Sequence, residues 1–136
     1  MKTFTTQLRV RHYEMDALGH VNNAVYQSYL EQTAIEHSEH LGLTLETYRQ
    51  LGSVFVMRRL AIDYLRLRLR PAIAGDFLDI TTWVQEMRGS RAIRRYEIRK
   101  TDNVLVVTAE ALWVWVESTS MRPKAIPQNI LDVFTS

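Results

Sequence analysis

Residues 13–32 read Y-E-M-D-A-L-G-H-V-N-N-A-V-Y-Q-S-Y-L-E-Q. Within this stretch the hydropathy pattern changes period, and that change decides the fold. Upstream, residues 4 to 13 alternate. Phe4, Thr6, Leu8, Val10 and His12 share one face of a strand, and Thr5, Gln7, Arg9, Arg11 and Tyr13 share the other. The region of Gly19 breaks the alternation. Downstream, from about Ala24 to Leu41, apolar positions recur at spacings of three and four: Val25, Tyr26, Tyr29, Leu30, Thr33, Ala34, His37 and Leu41. That spacing predicts a helix with one apolar stripe. Asn22 or Asn23 can cap its start by accepting a backbone N–H, and Gly42 stops it, with His40 in the last turn. A shorter helix is expected from Leu45 to Leu51, capped by Thr44 and ended by Gly52.

Beyond Gly52 the pattern is that of strands. V-F-V-M-R-R-L-A-I-D-Y-L-R-L-R-L-R runs to Pro71, and its phase slips between Tyr64 and Leu65, which predicts a bulge or bend there. P-A-I-A-G-D, residues 71–76, reads as a turn. F-L-D-I-T-T-W-V-Q-E-M and R-A-I-R-R-Y-E-I-R-K are two strands joined by the tight R-G-S connection, and V-L-V-V-T-A-E-A-L-W-V-W-V is the last long strand. A brief apolar piece, Ile130 to Phe134, follows Pro123 and Pro127. Tight hairpins join antiparallel strands, so the sheet is expected to be antiparallel and to cover the long helix. The fold class is α+β: one domain over residues 1–136, with about five strands and one long central helix.

Bulk properties narrow the function. A chain of 136 residues, 46% apolar and 24% charged, suits one globular domain with one real core. A formal charge of +2, from 17 basic and 15 acidic residues, is too small to argue for nucleic acid. The absence of cysteine excludes a disulfide scaffold, thiolate catalysis and a thiolate zinc site. The N-terminal residues lack the apolar core of a signal peptide, and no run approaches the ~18 apolar residues of a membrane span. A cytoplasmic protein is the expected reading. The serine-elbow, dinucleotide, P-loop and H-E-x-x-H signatures are absent. His37 and His40 have metal-compatible spacing on one helix, but with no third ligand nearby they read as a solvated helix end.

What remains is Asp16, set just before a helix start. The free N–H groups at that end carry partial positive charge and can stabilise an oxyanion. A nearby carboxylate can activate water or attack directly. Asp before a helix is more often an ordinary turn or capping residue, and local chemistry alone favours that reading.

The wider pattern resembles the hotdog-fold thioesterases of the 4-hydroxybenzoyl-CoA thioesterase family. The matching elements are Arg11, Tyr13, Asp16, G-H-V-N-N, Tyr26, Glu31 in the helix, and the P-A-I-A-G-D turn. V-R-H-Y-E-M-D-A-L-G-H-V-N-N-A-V-Y, with W-V-W-V followed by M-R-P-K-A-I-P, is also similar to the single-hotdog acyl-ACP (acyl-lipid) thioesterases of plants and their bacterial relatives. The resemblance implies a sheet wrapped around the long helix, edge-to-edge pairing into a homodimer or a dimer of dimers (a homotetramer), and active sites at the dimer interface. It implies a hydrolase of fatty acid metabolism that acts on acyl-CoA or acyl carrier protein thioesters, without a metal or redox cofactor.

In that reading Asp16 is nucleophile or general base, and the N–H of Asn23 or a neighbour at the helix start holds the carbonyl oxygen. His20 departs from the simplest forms of the pattern; it can orient water, contact substrate or fill the loop. Asn22 is a cap or a substrate ligand. Glu31 is read as a structural or dimer-contact residue. Tyr26, Tyr29, Leu30, Phe55, Val56 and Met57 can line an apolar acyl pocket or belong to the core.

The arginines Arg58, Arg59, Arg66, Arg68, Arg70, Arg88, Arg91, Arg94 and Arg95 read either as outward-facing positions that blunt sheet edges or as a docking surface for an anionic carrier. The resemblance to hotdog thioesterases, whose nucleotide contacts tend to lie on loops near there, implies that the hairpin carrying Arg88, Ser90 and Arg91 is the nucleotide contact. The alternatives are a thioesterase for aromatic or polyketide acyl groups, a non-catalytic acyl-binding hotdog protein or dehydratase, and, least supported, a nucleic-acid-binding β protein.

Overall fold

The computed structural model describes residues 2–66 and 69–135. The chain runs β1 (Thr3–Arg9), α1 (Asn23–His40), α2 (Leu45–Leu51), β2 (Ser53–Tyr64), β3 (Phe77–Arg88), β4 (Arg91–Lys100), β5 (Leu105–Glu117) and α3 (Gln128–Thr135). One antiparallel sheet has the order β1-β3-β4-β5-β2, so β1 and β2 are its edges. This is the α+β arrangement that the period change predicts.

The expected stripe of α1 is the face it buries: Tyr26, Tyr29, Leu30, Thr33, Ala34 and His37 turn inward. They meet the inner side of β3, β4 and β5, where Ile80, Tyr96, Ile98 and Val107 are at most 1% exposed. A second cluster joins Leu43, Trp115, Ile126, Ile130 and Phe134 at the other end of the sheet. Burying each large apolar side chain is worth about 1.5–3 kcal/mol, which these two clusters supply many times over.

Three expectations need correction, and one unassigned segment gains a structure. The first strand stops at Arg9, because the Val10 N–H donates to Asp76 O and His12–Glu14 then forms a 3₁₀ turn closed by the Glu14 carboxylate. The register of β2 on β5 shifts between Met57 and Arg59, not after Tyr64; β2 simply ends at Tyr64. Of the segment beyond it, Leu67 and Arg68 lie outside the described residues. The apolar piece near the C-terminus is a helix, α3, which buries Ile130 and Phe134 one turn apart. Arg94 does not face outward. It occupies the inner face of β4, between the buried Ala92 and Tyr96, and is 5% exposed.

The sheet has two distinct ends. At one lie the C-terminus of β1, the start of β3 and Tyr64 of β2, whose hydroxyl donates to Asn23 O at the start of α1 (3.1 Å). At the other lie the Arg88–Arg91 hairpin, the start of β2 and the C-terminal half of α1. A strand as long as β3 spans about 35 Å, so the two ends are well separated.

Candidate active site

The turn from Met15 to Val21 is built from its own polar groups. Met15 and Val21 form an antiparallel bridge, the Asp16 N–H donates to His20 O (2.9 Å), and the Gly19 N–H donates to Asp16 O (3.1 Å). Gly19 closes the turn with φ +85°, a conformation that costs glycine little. One carboxylate oxygen of Asp16 accepts from the Leu18 N–H (2.9 Å). The other lies 3.6 Å from His20 Nδ1. The Asp16 side chain is 21% exposed, so a water or carbonyl can reach it.

His20 Nδ1 is also 3.1 Å from Val21 O. A carbonyl only accepts, so Nδ1 carries the proton in this arrangement. The ring then lines a small recess with Asn23, Tyr26, Tyr64, Arg66 and Pro71. Asn22 is the N-cap of α1: its side-chain oxygen accepts from the Ala24 N–H (2.8 Å). The Asn23 N–H has no protein acceptor among the described residues. An unsatisfied donor at the positive end of an 18-residue helix is suited to hold a developing oxyanion.

Below the turn sits Glu14, a residue that the sequence reading passed over. It is 9% exposed. Its carboxylate accepts from the Arg11 N–H (2.8 Å), Arg11 Nη1 (3.1 Å) and the Tyr29 hydroxyl (2.7 Å). The Asn22 N–H donates to Glu14 O (2.9 Å). Glu14 therefore ties the 3₁₀ turn, the Asp16 turn and the second turn of α1 together. Its signal in the sequence is the R-x-x-E spacing just before Asp16. Burial, then the bond to Glu14, pushes the Tyr29 hydroxyl well above the usual phenol range. Burial likewise pushes Tyr26 up to about 12, helped by neighbouring Tyr64.

The predicted site residues thus fall into two groups. Asp16, His20, Asn22, Asn23 and Tyr26 converge at the start of α1, with Tyr29 buried behind them as core. Arg88, Ser90 and Arg91 lie at the far end of the sheet, and Phe55 lies there too. Met57 packs, half-buried, on the main core cluster.

That far end holds a cleft of about 240 Å³ between α1, α2, β2 and β4, lined by Ala34, Leu43, Tyr48, Phe55, Trp113 and Phe134 among others. His37 is not a solvated helix end: it is 1% exposed, stacks on Phe4 at 5.3 Å and lies beside Arg94. Among the described residues no group of three His, Asp or Glu could hold a metal ion, and no helix is long and apolar enough to cross a membrane.

The family model described as the thioesterase-like superfamily matches residues 10–134. The chain is 30% identical over 131 residues to the acyl-CoA thioester hydrolase YbgC of Shigella flexneri, covering 96% of this chain and 95% of that protein. It is 33% identical to the long-chain acyl-CoA thioesterase FadM of Escherichia coli, covering 93% of each chain. Among solved structures, a 1,4-dihydroxy-2-naphthoyl-CoA thioesterase of Synechocystis superposes with a TM-score of 0.86 at 19% identity, covering 98% of this chain and 96% of that one. At that identity the likeness shows the hotdog fold alone.

Proposed function

From the premise that this chain belongs to the thioesterase-like superfamily and is a thioesterase, we propose that it hydrolyses acyl thioesters carried on CoA or acyl carrier protein, with Asp16 as the catalytic carboxylate. The observation that carries this reading is the pairing of a half-anchored carboxylate with an open helix N-terminus. Leu18 fixes one oxygen of Asp16, and the other stays accessible. The Asn23 N–H, free of any described acceptor, heads α1.

In the general-base route Asp16 takes a proton from water as the hydroxide attacks the thioester carbonyl. The carbonyl oxygen becomes an anion held by the Asn23 N–H and the dipole of α1. The intermediate collapses, the C–S bond breaks, and the thiolate leaves with the proton that Asp16 returns. In the nucleophilic route Asp16 attacks first, and water opens the resulting anhydride. Both routes use side chains, the backbone N–H groups at the start of α1 and water. His20, with its Nδ1 proton directed between Asp16 and Val21 O, orients the carboxylate, and Tyr26 packs beside the acyl group.

The carrier is proposed to dock on Arg88, Ser90 and Arg91, where the two guanidinium groups and the Ser90 hydroxyl suit phosphate or an acidic protein. Within one chain that hairpin lies about 35 Å from the Asp16 end, by the length of β3. The edge strand β2 supports a solution: pairing it about a two-fold axis with β2 of a second copy sets the Ser53 end of one protomer beside the Tyr64 end of the other. Asp16 would then work next to its partner's hairpin and cleft, in a dimer or dimer of dimers.

The test is a hydrolysis assay on matched acyl-CoA and acyl-ACP series, with Asp16→Ala as control. Loss of a general base or nucleophile is expected to lower kcat by about 10³-fold or more with the melting temperature unchanged. Wild-type turnover in folded Asp16→Ala would remove Asp16 from the mechanism.

A further inference from the structure

Arg94 carries a positive charge in the protein interior, and among the described residues no counter-ion meets it. It is 5% exposed. Its Nη1 reaches His37 Nδ1 (2.9 Å) and Thr82 Oγ1 (3.1 Å), and its guanidinium lies 5.9 Å from the Phe134 ring. All three neighbours are neutral. The Thr82 hydroxyl is free to accept because its own proton goes to Arg95 O (2.8 Å). His37 accepts through Nδ1, so it is the neutral imidazole, and burial, then the charge of Arg94, lowers its pKa to about 4. Among the described residues no carboxylate comes within 4.0 Å of Arg94.

A guanidinium has five N–H donors in a fixed fork. The two on Nη1 are used. The three along the Nε–Nη2 edge have no acceptor among the described residues. That edge is the one that grips a carboxylate with two parallel bonds. Nε and Nη2 are not among the sealed, unsatisfied atoms of the interior, so they open onto a cleft, where an anion can meet them.

Arg94 also helps line the 240 Å³ cleft, whose other walls include Ala34, Leu43, Phe55, Trp113 and Phe134. Glu39 lies at the rim, exposed and outside ion-pair reach. A dry cavity of about 150 Å³ already takes benzene, so this space admits an aryl group or a medium alkyl chain. We propose that the cleft binds an apolar carboxylate, with the hydrocarbon body between α1, α2 and β2 and the carboxylate seated on the open edge of Arg94. The carboxylate has two possible sources: the free acid that a thioesterase releases, or the far end of an acyl chain that bears a second carboxyl group. The site rests on the cleft being a ligand pocket, not on Asp16 being the catalytic group.

The experiment titrates the protein with octanoate and with octanamide, a neutral molecule of nearly the same shape, and follows binding by calorimetry, with intrinsic tryptophan fluorescence, to which Trp113 in the cleft wall contributes, as a second readout. Octanoate is expected to bind at least tenfold more tightly than octanamide. The ratio should fall to near one in Arg94→Met and lie between in Arg94→Lys, which keeps the charge but loses the fork. The ratio is read from binding alone, so a failed catalytic assignment leaves this result standing. Equal binding of the two ligands by the wild type, or a tenfold preference that survives in Arg94→Met, would overturn the proposal. The wild-type comparison decides the matter even if Arg94→Met does not fold. Hydrolysis of ω-carboxyoctanoyl-CoA against octanoyl-CoA then separates the sources: an Arg94-dependent preference for the former identifies the acyl chain, and no preference identifies the released acid.

Discussion

The two ends of α1 bury charge by opposite means. At its start, Glu14 is buried with three donors from Arg11 and Tyr29, and the network is closed. The one carboxylate left with capacity, Asp16, sits at the surface of that network. Near its C-terminus, Arg94 is buried deeper than Glu14, yet only neutral groups meet it and three of its donors are open. A closed network builds a rigid platform on which a reactive group can be mounted. An open one stores affinity for something that is not part of the chain. The first end is therefore expected to respond to mutation mainly through stability and turnover, and the second through pH and ligand.

The largest effect on stability is expected at Glu14. Truncation to Ala strands the Tyr29 hydroxyl and the Arg11 N–H beneath the Asp16 turn, and a buried polar group left without its partner costs about 1–3 kcal/mol. Glu14→Ala should lose about 3 kcal/mol, read as a fall of about 10 °C in melting temperature. Glu14→Gln keeps an acceptor for Tyr29 and should lose less than half as much. If Glu14→Ala melts like the wild type, the platform is not held by this network, and the contrast between the two ends collapses.

A comparable effect is expected from pH at the other end. His37 has a folded pKa of about 4 against an ordinary value of 6.5, chiefly through burial. The unfolded chain therefore binds a proton, as pH falls through 6.5, that the native protein refuses until about pH 4. Stability contributed by neutral His37 is complete above pH 6.5 and is lost progressively between 6.5 and 4. The size is on the order of 3 kcal/mol. Denaturant midpoints measured across that window should fall in the wild type, and the slope should flatten in His37→Gln. Octanoate on Arg94 is expected to reduce the same slope, because an anion beside His37 offsets the cation that disfavours its protonation.

How these ends were legible in the sequence differs as well. The geometry at the start of α1 could be read almost whole, because its contacts are local. Asp16, Gly19, His20, Asn22 and Asn23 lie within a few residues of one another, and the change from period two to 3.6 marks the helix. Glu14 escaped notice because its decisive partner, Tyr29, is 15 residues away, reached only once the chain folds back. Arg94 was misread for a similar reason. R-A-I-R-R-Y-E-I-R-K puts basic residues on both faces of the strand, so alternation alone assigns Arg94 no face, and strand arginines usually face water. Its burial depends on α1 and α3, which supply His37 and Phe134 from distant segments. The shift in β2 was placed too late because the slip in hydropathy marks the end of the strand, whereas the extra residue is accommodated at Arg58 against β5.

The smallest effect separates two roles at one residue. Asn22 caps α1 through its side-chain oxygen, and Asn22→Ala should cost about 1 kcal/mol, or about 3–4 °C. Asn22→Asp keeps the oxygen that accepts from Ala24, and its negative charge at a helix N-terminus is itself favourable, so the melting temperature should hold or rise slightly. The same charge faces the place where the Asn23 N–H is proposed to hold a developing oxyanion, and there it repels. Asn22→Asp should therefore be at least as stable as the wild type while its kcat falls by about tenfold. In Asn22→Ala the fall in kcat should be smaller than that, despite the lower stability. Opposite orders of stability and turnover in these two variants cannot arise from a cap alone, because a residue that only caps moves both in the same direction. If turnover follows melting temperature in both, the start of α1 is a scaffold for Asp16 and not part of the machinery that meets the oxyanion.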